Sequence, residues 1–386
     1  MMGRMTHHIP DDVDPAGRDL RAYTDELRPD HRVVQNTRGE WVLLRHADVV
    51  EAAQDAERFS SAVSAHLQVP NGLDGDAHRA ARATLDRYFT DDELAPYAEA
   101  FRGIARTLFA GLPRGASVDA VHDVGAVFAV RVQSAWLGWP ADLEPHLLAW
   151  MADNHAATRS GDRSRTAVVA SDFDAIIRSI TDPRRAAGDD APDDLTTRLM
   201  RDTVDGRPFT DEEIVSVLRN WTGGDLGSIA LCVGVLFAFL AGHEDVQHRL
   251  RSGVSDAELD AAIDEVLRID DPFLSNRRVT TCPVHVGGVD LPEGARVKLH
   301  WTSANRDAEV FDDPDAFDPE ANAPRNLVYG IGPHVCPGRP LATMELRIAV
   351  QEALAATDWI AFAPDEQPER EVAPVGGYRR VPVVLT

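Results

Sequence analysis

Over residues 32–45 (RVVQNTRGEWVLLR) short apolar runs flank a polar turn at Thr37-Arg38-Gly39, which predicts a β-hairpin; the HADVVEAAQDA that follows predicts a short helix. From about Asp74 to Met200 the apolar residues recur mostly at helical spacing, and Thr90-Asp91-Asp92-Glu93 forms a capping-box pattern ahead of one such helix. A second box, Thr210-Asp211-Glu212-Glu213, opens an apolar segment that runs to about Ala241. At a rise of ~1.5 Å per residue this helix spans roughly 45 Å, and being apolar on nearly every face it is predicted to be central. A third box, Ser255 to Glu258, starts DAELDAAIDEVLRID, which Pro272 stops. VHVGGVDLPEGARVKLHW predicts a further hairpin, and LATMELRIAVQEALAA a final long helix. The fold class predicted is mainly α with minor β.

The chain has 386 residues, 44% hydrophobic and 26% charged, enough for a large core, with no repeat and no Gly/Ser or Pro linker to divide it. We therefore expect a single domain over residues 1–386, with residues 1–20 as a flexible leader. A formal net charge of -24 argues against nucleic acid or an anionic membrane surface as partner. The first residues lack the apolar stretch of a signal peptide, and the run 229–241 is too short to span a bilayer, so a cytoplasmic location without membrane attachment is expected.

Three cysteines, Cys232, Cys282 and Cys336, stand at wide spacings that give neither a disulfide framework nor a zinc motif. Cys336 lies in LVYGIGPHVCPGRPLA, among turn-forming glycines and ahead of a helix that Pro340 opens. A thiol at a helix N-terminus meets converging N–H groups that favour the thiolate. From the residues alone it reads as a nucleophile with His334 as base, as a metal ligand, or as a small buried hydrophobe. Cys232 and Cys282 read as packing residues.

The run Tyr329-Gly330-Ile331-Gly332-Pro333-His334-Val335-Cys336-Pro337-Gly338 resembles the cysteine-loop signature of the cytochrome P-450 family, with tyrosine in place of the usual Phe. Four further segments in the right order extend the resemblance over roughly residues 70 to 345. They are Glu265-x-x-Arg268, His78-x-x-x-Arg82, Arg278, and the meander-like ANRDAEVFDDPDAFDP. The resemblance implies the P-450 fold, with its long helix over a haem, and haem b (iron protoporphyrin IX) held by Cys336 as axial thiolate. It implies that His78, Arg82 and Arg278 balance the propionates, that Asn326 stands where a propionate-binding histidine is common, and that Glu265 and Arg268 hold the loop scaffold. Ala321 stands where an arginine commonly completes that scaffold, leaving Arg325 as a conjectural substitute.

In the long helix, Thr222-Gly223-Gly224-Asp225-Leu226-Gly227 aligns with the family's acid–alcohol motif, and Leu226 replaces the alcohol. Leucine donates no proton, so Ser228, Thr222 or a substrate hydroxyl would have to complete the relay around Asp225. The resemblance implies insertion of one oxygen atom from dioxygen into a small or medium apolar organic substrate, free or carrier-bound. Peroxide-driven or oxidative-coupling chemistry is the alternative that Leu226 suggests, and a haem-binding sensor or carrier is the non-enzymatic one. The segment SAVSAHLQVPNGL is short for a substrate cover. His66, Leu67, Val69, Gly223, Phe273 and Leu274 are the expected pocket residues beside the motif. The chain leaves no room for a fused reductase, so a ferredoxin or flavodoxin-type donor with its reductase is expected to supply electrons at a basic patch of Arg79, Arg82, Arg87, Arg339 and Arg347.

Overall fold

The computed structural model describes residues 8–9 and 19–386; the expected leader lies largely outside these residues. The longer elements begin with α1 (His46–Gln54), α2 (Gly75–Leu85), α3 (Ala98–Gly111) and α4 (Val127–Leu137). They continue with α5 (Glu144–Ser160), α6 (Arg163–Ala187), α7 (Asp211–Gly242), α8 (Asp256–Ile269) and α9 (Arg339–Ala356). The class is mainly α, as expected.

Two of the three capping boxes close as the sequence predicts. Thr210 Oγ1 accepts from the Glu213 N–H at the start of α7, and Ser255 does the same with Glu258 at the start of α8. In both, the glutamate reaches back to the cap N–H. The third differs: Thr90 makes no side-chain cap bond, and the helix after it lasts only from Asp91 to Leu94. Its hydroxyl turns back toward the Arg87 carbonyl instead.

Helix α7 is the axis of the core, packed against a π-helical turn at Ala120–Ala126 and against α4, α6, α8 and α9. The closest approach needs glycine on both partners. A Cβ at Gly125 would lie 2.7 Å from the Ala230 carbonyl, and one at Gly234 would lie 2.5 Å from Val121 Cγ2. The helix is long and apolar enough to cross a membrane, yet 72% of its most apolar window is buried inside the protein, as befits a core helix.

The main sheet contains β1 (His8–Ile9), β2 (Val33–Asn36), β3 (Trp41–Leu43), β4 (Phe59–Ser60) and β5 (Ser275–Thr280). The predicted hairpin β6 (Val284–Val286) and β7 (Val289–Leu291) pairs by itself, and β8 (Arg296–His300) returns to the main sheet. The order β1-β2-β3-β8-β5-β4 joins segments more than 200 residues apart, a pairing that periodicity does not encode. Within β5, Arg278 pairs with Val297 of β8 and alternation turns its side chain inward while Arg277 stays exposed.

Candidate functional site

The cysteine loop is held by its own glycines and by the end of α1. Gly330 and Gly332 take φ of 72° and 81°, the left-handed region that favours glycine. A Cβ on Gly332 would sit 2.6 Å from the Ala53 carbonyl, so no other residue lets the loop press this closely on α1. The Cys336 N–H donates to the Tyr329 carbonyl at 2.9 Å, which closes the turn. Burial pushes the Cys336 thiol above its ordinary range, and donation from the Gly338 and Arg339 N–H groups works against it. A coordinating metal deprotonates such a thiol.

Cys336 opens into a cavity of about 320 Å³. Tyr329, Gly330, His334 and Gly338 from the loop line it, with His78 and Arg82 from α2 and Arg278 from β5. The His78 and His334 rings stand 4.1 Å apart, and His334 Nε2 lies 3.3 Å from Asp74 Oδ1. Burial and the neighbouring His78 and Arg278 push His334 down to about 4, and burial with Arg82 lowers His78, so both rings are neutral at pH 7. Arg82 ties α2 to the loop, donating to the carbonyls of Pro333 and Val335 at 3.2 and 2.9 Å and to Asp86 at 2.6 Å.

Arg278 is 4% exposed, forms no carboxylate ion pair among the described residues and donates to the Arg277 carbonyl alone. A buried guanidinium with no carboxylate in contact, on which Asp74 acts only at longer range, calls for an anion. A thiol and such a cation facing one cavity fit an iron porphyrin that brings both a soft metal and propionate carboxylates.

From α7 the lining residues are Asn220, Trp221, Gly224, Asp225, Ser228, Ile229 and Cys232. Leu226 and Thr222 are not among them. Successive helical residues are rotated by about 100°, so placing Asp225 on the cavity turns Leu226 into the core, where it is fully buried. The Thr222 hydroxyl is bound to the Leu218 carbonyl. The cavity face of α7 thus carries Asp225, with Ser228 three residues on, while Leu226 lies buried outside the lining. Enclosure raises the Asp225 carboxyl to about 7, and its Oδ2 has no hydrogen-bond partner.

Other expected positions fall elsewhere. Asn326 lies outside this cavity, donating to the Asp264 carbonyl and accepting from the Val328 N–H, so it caps its own loop rather than facing the cofactor space. Of the six pocket candidates, Phe273 lines the cavity. His66 and Leu67 are exposed, Gly223 lies against Phe173 and Trp150, and Leu274 packs near Gly376. Val69 is a strap residue: its N–H donates to Ser216 Oγ and its carbonyl accepts from Asn220. Trp136, Asn71 and Asn276 line the cavity unforeseen, and Cys232, read as packing, faces it too. Periodicity marks Trp136 and Cys232 as inward, and nothing in the pattern separates the cavity from the core.

Glu265 and Arg268 form a buried pair, as the resemblance implies. Asn322 completes it by donating to Glu265 Oε1 at 2.8 Å, while Arg325 lies over the Phe311 ring. The expected basic patch is charge-compensated: Arg79, Arg82, Arg87, Arg339 and Arg347 pair with Asp76, Asp86, Asp202, Asp264 and Asp260.

Comparison with known proteins shows the family. The family described as Cytochrome P450 matches residues 157–374. The erythromycin C-12 hydroxylase of Saccharopolyspora erythraea is 29% identical over 93% of this chain and 92% of its own. Cyclomarin C epoxidase CymV of Salinispora arenicola is 31% identical over 86% and 88%. The structure of a mutant of P450 EryK in complex with erythromycin B superposes with a TM-score of 0.86 at 28% identity, covering 98% of each chain. The chain belongs to the cytochrome P450 family, and is a monooxygenase whose cofactor is the iron of protoporphyrin IX.

Proposed function

We propose that this chain acts as a single-domain cytoplasmic enzyme, with Cys336 as the axial thiolate. It inserts one atom of dioxygen into a small or medium-sized organic substrate, mainly apolar, free or carrier-bound, with electrons from a separate ferredoxin or flavodoxin-type donor and its reductase. The observation that carries this is the joint exposure to one cavity of the Cys336 thiol and of Arg278, which has no carboxylate in contact. Haem iron, when bound, supplies the activation of dioxygen.

The protein's own residues do the rest. Cys336 would hold the iron, and Arg278 would neutralise propionate charge with His78, Arg82 and His334 at hand to donate hydrogen bonds. Phe89, Trp136, Trp221, Ile229 and Phe273 give the substrate space an apolar wall that excludes water, while Asn71 and Asn276 add amides. Asp225 holds a proton near neutral pH and is the acid on the lining of α7. The two relatives named for erythromycin and cyclomarin C support a substrate of medium size. Ser228, on the same lining of α7 as Asp225, offers the hydroxyl that Leu226 lacks, which supports dioxygen over peroxide chemistry.

The test is a titration of the purified ferric protein against small aromatics, terpenoids, macrocycles and carrier-bound amino acids, followed by turnover with NAD(P)H and redox partners or with peroxide alone. The expected result is a high-spin Soret shift with one compound class and oxygenated product that requires the redox partners. Product with peroxide alone, or no product from any compound that shifts the band, overturns the reading.

A further inference from the structure

A row of aromatic rings leads from the cavity that holds Cys336 to an acid at the protein surface. Trp136 on α4 and Trp221 on α7 line the cavity, and their ring centroids stand 5.3 Å apart. Phe89, also on the lining, packs against both at 5.3 Å. Behind them Tyr88 lies outside the lining, with its ring 5.3 Å from that of Trp221, the separation of packed aromatic pairs. The Tyr88 hydroxyl donates to Asp202 Oδ2 at 3.0 Å. Asp202, partly exposed just after the helix Leu195–Arg201, pairs with Arg87 at 2.9 Å.

The two ends of this row differ in what they can do with a proton. Among the described residues, the indole N–H groups of Trp136 and Trp221 are enclosed and have no hydrogen-bond partner. An indole that lost an electron there would hold a positive charge in the core, with no base to take its proton, at a high cost. At Tyr88 the same loss is compensated. A carboxylate lies against the phenol O–H, so the proton can leave with the electron and no charge is stranded. Burial and Asp202 keep the phenol protonated beforehand. Arg198 lies over the Tyr88 ring at 5.3 Å and opposes electron loss, but its own pairing with Glu93 at 2.9 Å offsets that charge.

We propose that Trp221 and Tyr88 form an escape route for oxidising equivalents: when peroxide oxidises the cofactor and no substrate takes the oxygen, an electron passes from Tyr88 through Trp221 into the cavity. The phenol loses one electron, its O–H bond breaks, the proton goes to Asp202 and a neutral tyrosyl radical remains, while the oxidised cofactor is reduced by one equivalent. A soluble thiol or ascorbate returns the electron and Asp202 returns the proton. The route protects the cavity from its own oxidant. It goes beyond the oxygenation reading and shares with it only the cofactor held in this cavity.

Electron paramagnetic resonance of substrate-free holoenzyme, mixed with hydrogen peroxide and rapidly frozen, tests it. Wild type should show a tyrosyl signal that narrows when the protein is grown on ring-deuterated tyrosine. The signal should vanish in Tyr88→Phe, leaving an indole signal in its place, and should fall severalfold in Trp221→Phe and in Asp202→Asn. The last variant leaves the core untouched, so it keeps the test open if Trp221→Phe does not fold. Haem bleaching by peroxide should be severalfold faster in Tyr88→Phe than in wild type. A tyrosyl signal that survives in Tyr88→Phe and is lost in Tyr329→Phe places the radical on the cysteine loop and overturns the proposal. Absence of any protein radical in wild type, or equal bleaching rates, overturns it as well. The reduced carbon monoxide spectrum reports Cys336 ligation separately: if it is intact and no Tyr88 radical forms, this inference fails and the oxygenation reading stands.

Discussion

Arg268 and Glu265 face each other through two parallel contacts of 2.8 and 2.9 Å, and both side chains are almost wholly enclosed. Every strong site on the pair is used. Arg268 also donates to the carbonyls of Asn305, Pro314 and Ala316, and Glu265 accepts from the Asp318 N–H and from Asn322. Removing one partner strands a buried charge at a cost of about 3–5 kcal/mol. Arg268→Ala should therefore fail to fold or to take up haem, and Asn322→Ala should cost less, about 1–3 kcal/mol. Denaturant midpoints and haem content of the purified variants check both.

Asp225 and Leu226 are neighbours in sequence that face different surroundings. Asp225→Asn is expected to lower product formed per electron consumed by about tenfold or more, because the cavity loses its acid. Leu226→Thr, which would restore the family's alcohol by alignment, is expected to leave that ratio unchanged and to cost stability by about 2 kcal/mol or more as a buried apolar side chain shrinks and a hydroxyl is enclosed. Product-to-NAD(P)H ratios and thermal midpoints of the two variants separate the two positions.

Arg278 inverts the usual consequence of deleting a buried side chain. In the haem-free protein no carboxylate touches its buried guanidinium, so Arg278→Leu should stabilise that form or leave it unchanged while weakening haem retention. Haem transfer to apomyoglobin should be faster for the variant by about tenfold. Slower or equal transfer would remove Arg278 from the propionate set.

The segment that covers the cavity is strapped to α7. Ser216 donates to the Leu67 carbonyl and accepts from the Val69 N–H, and Asn220 donates to the Val69 carbonyl. Ser216→Ala leaves the Val69 N–H unpaired and the Leu67 carbonyl with Arg219 alone, and should loosen the strap. The expected outcome is faster ligand association and dissociation by severalfold, read in stopped-flow Soret traces, with an unchanged carbon monoxide spectrum.

The enclosed acid at Asp225 also sets a pH trend in stability. Its value in the fold is raised from 3.8 to about 7, so between these values the native state holds a proton that the unfolded chain has lost. Stability contributed below pH 3.8 is therefore lost progressively as pH rises through about 7. Asp264, raised to about 6 by burial, acts in the same direction. Holoenzyme Asp225→Asn should show a shallower decline of denaturant midpoint with pH than wild type over this range.

The sequence by itself determined what depends on local pattern. Capping boxes at Thr210 and Ser255 set the starts of α7 and α8, glycines at 330 and 332 specified the cysteine turn, and spacing alone put Glu265 and Arg268 on one helix face. Tertiary structure decided what depends on rotation and on distant chain. One step of about 100° around α7 gave the cavity to Asp225 and the core to Leu226, a difference smaller than an alignment of one helix resolves. Pairing of β8 with β3 and β5 turned Arg278 inward, Asn322 supplied the group that Ala321 lacks, and packing of α9 on α7 left Glu345 sealed. Such contacts join residues dozens to hundreds of positions apart, and it is burial and the absence of a partner, not residue type, that gives these side chains their charge state.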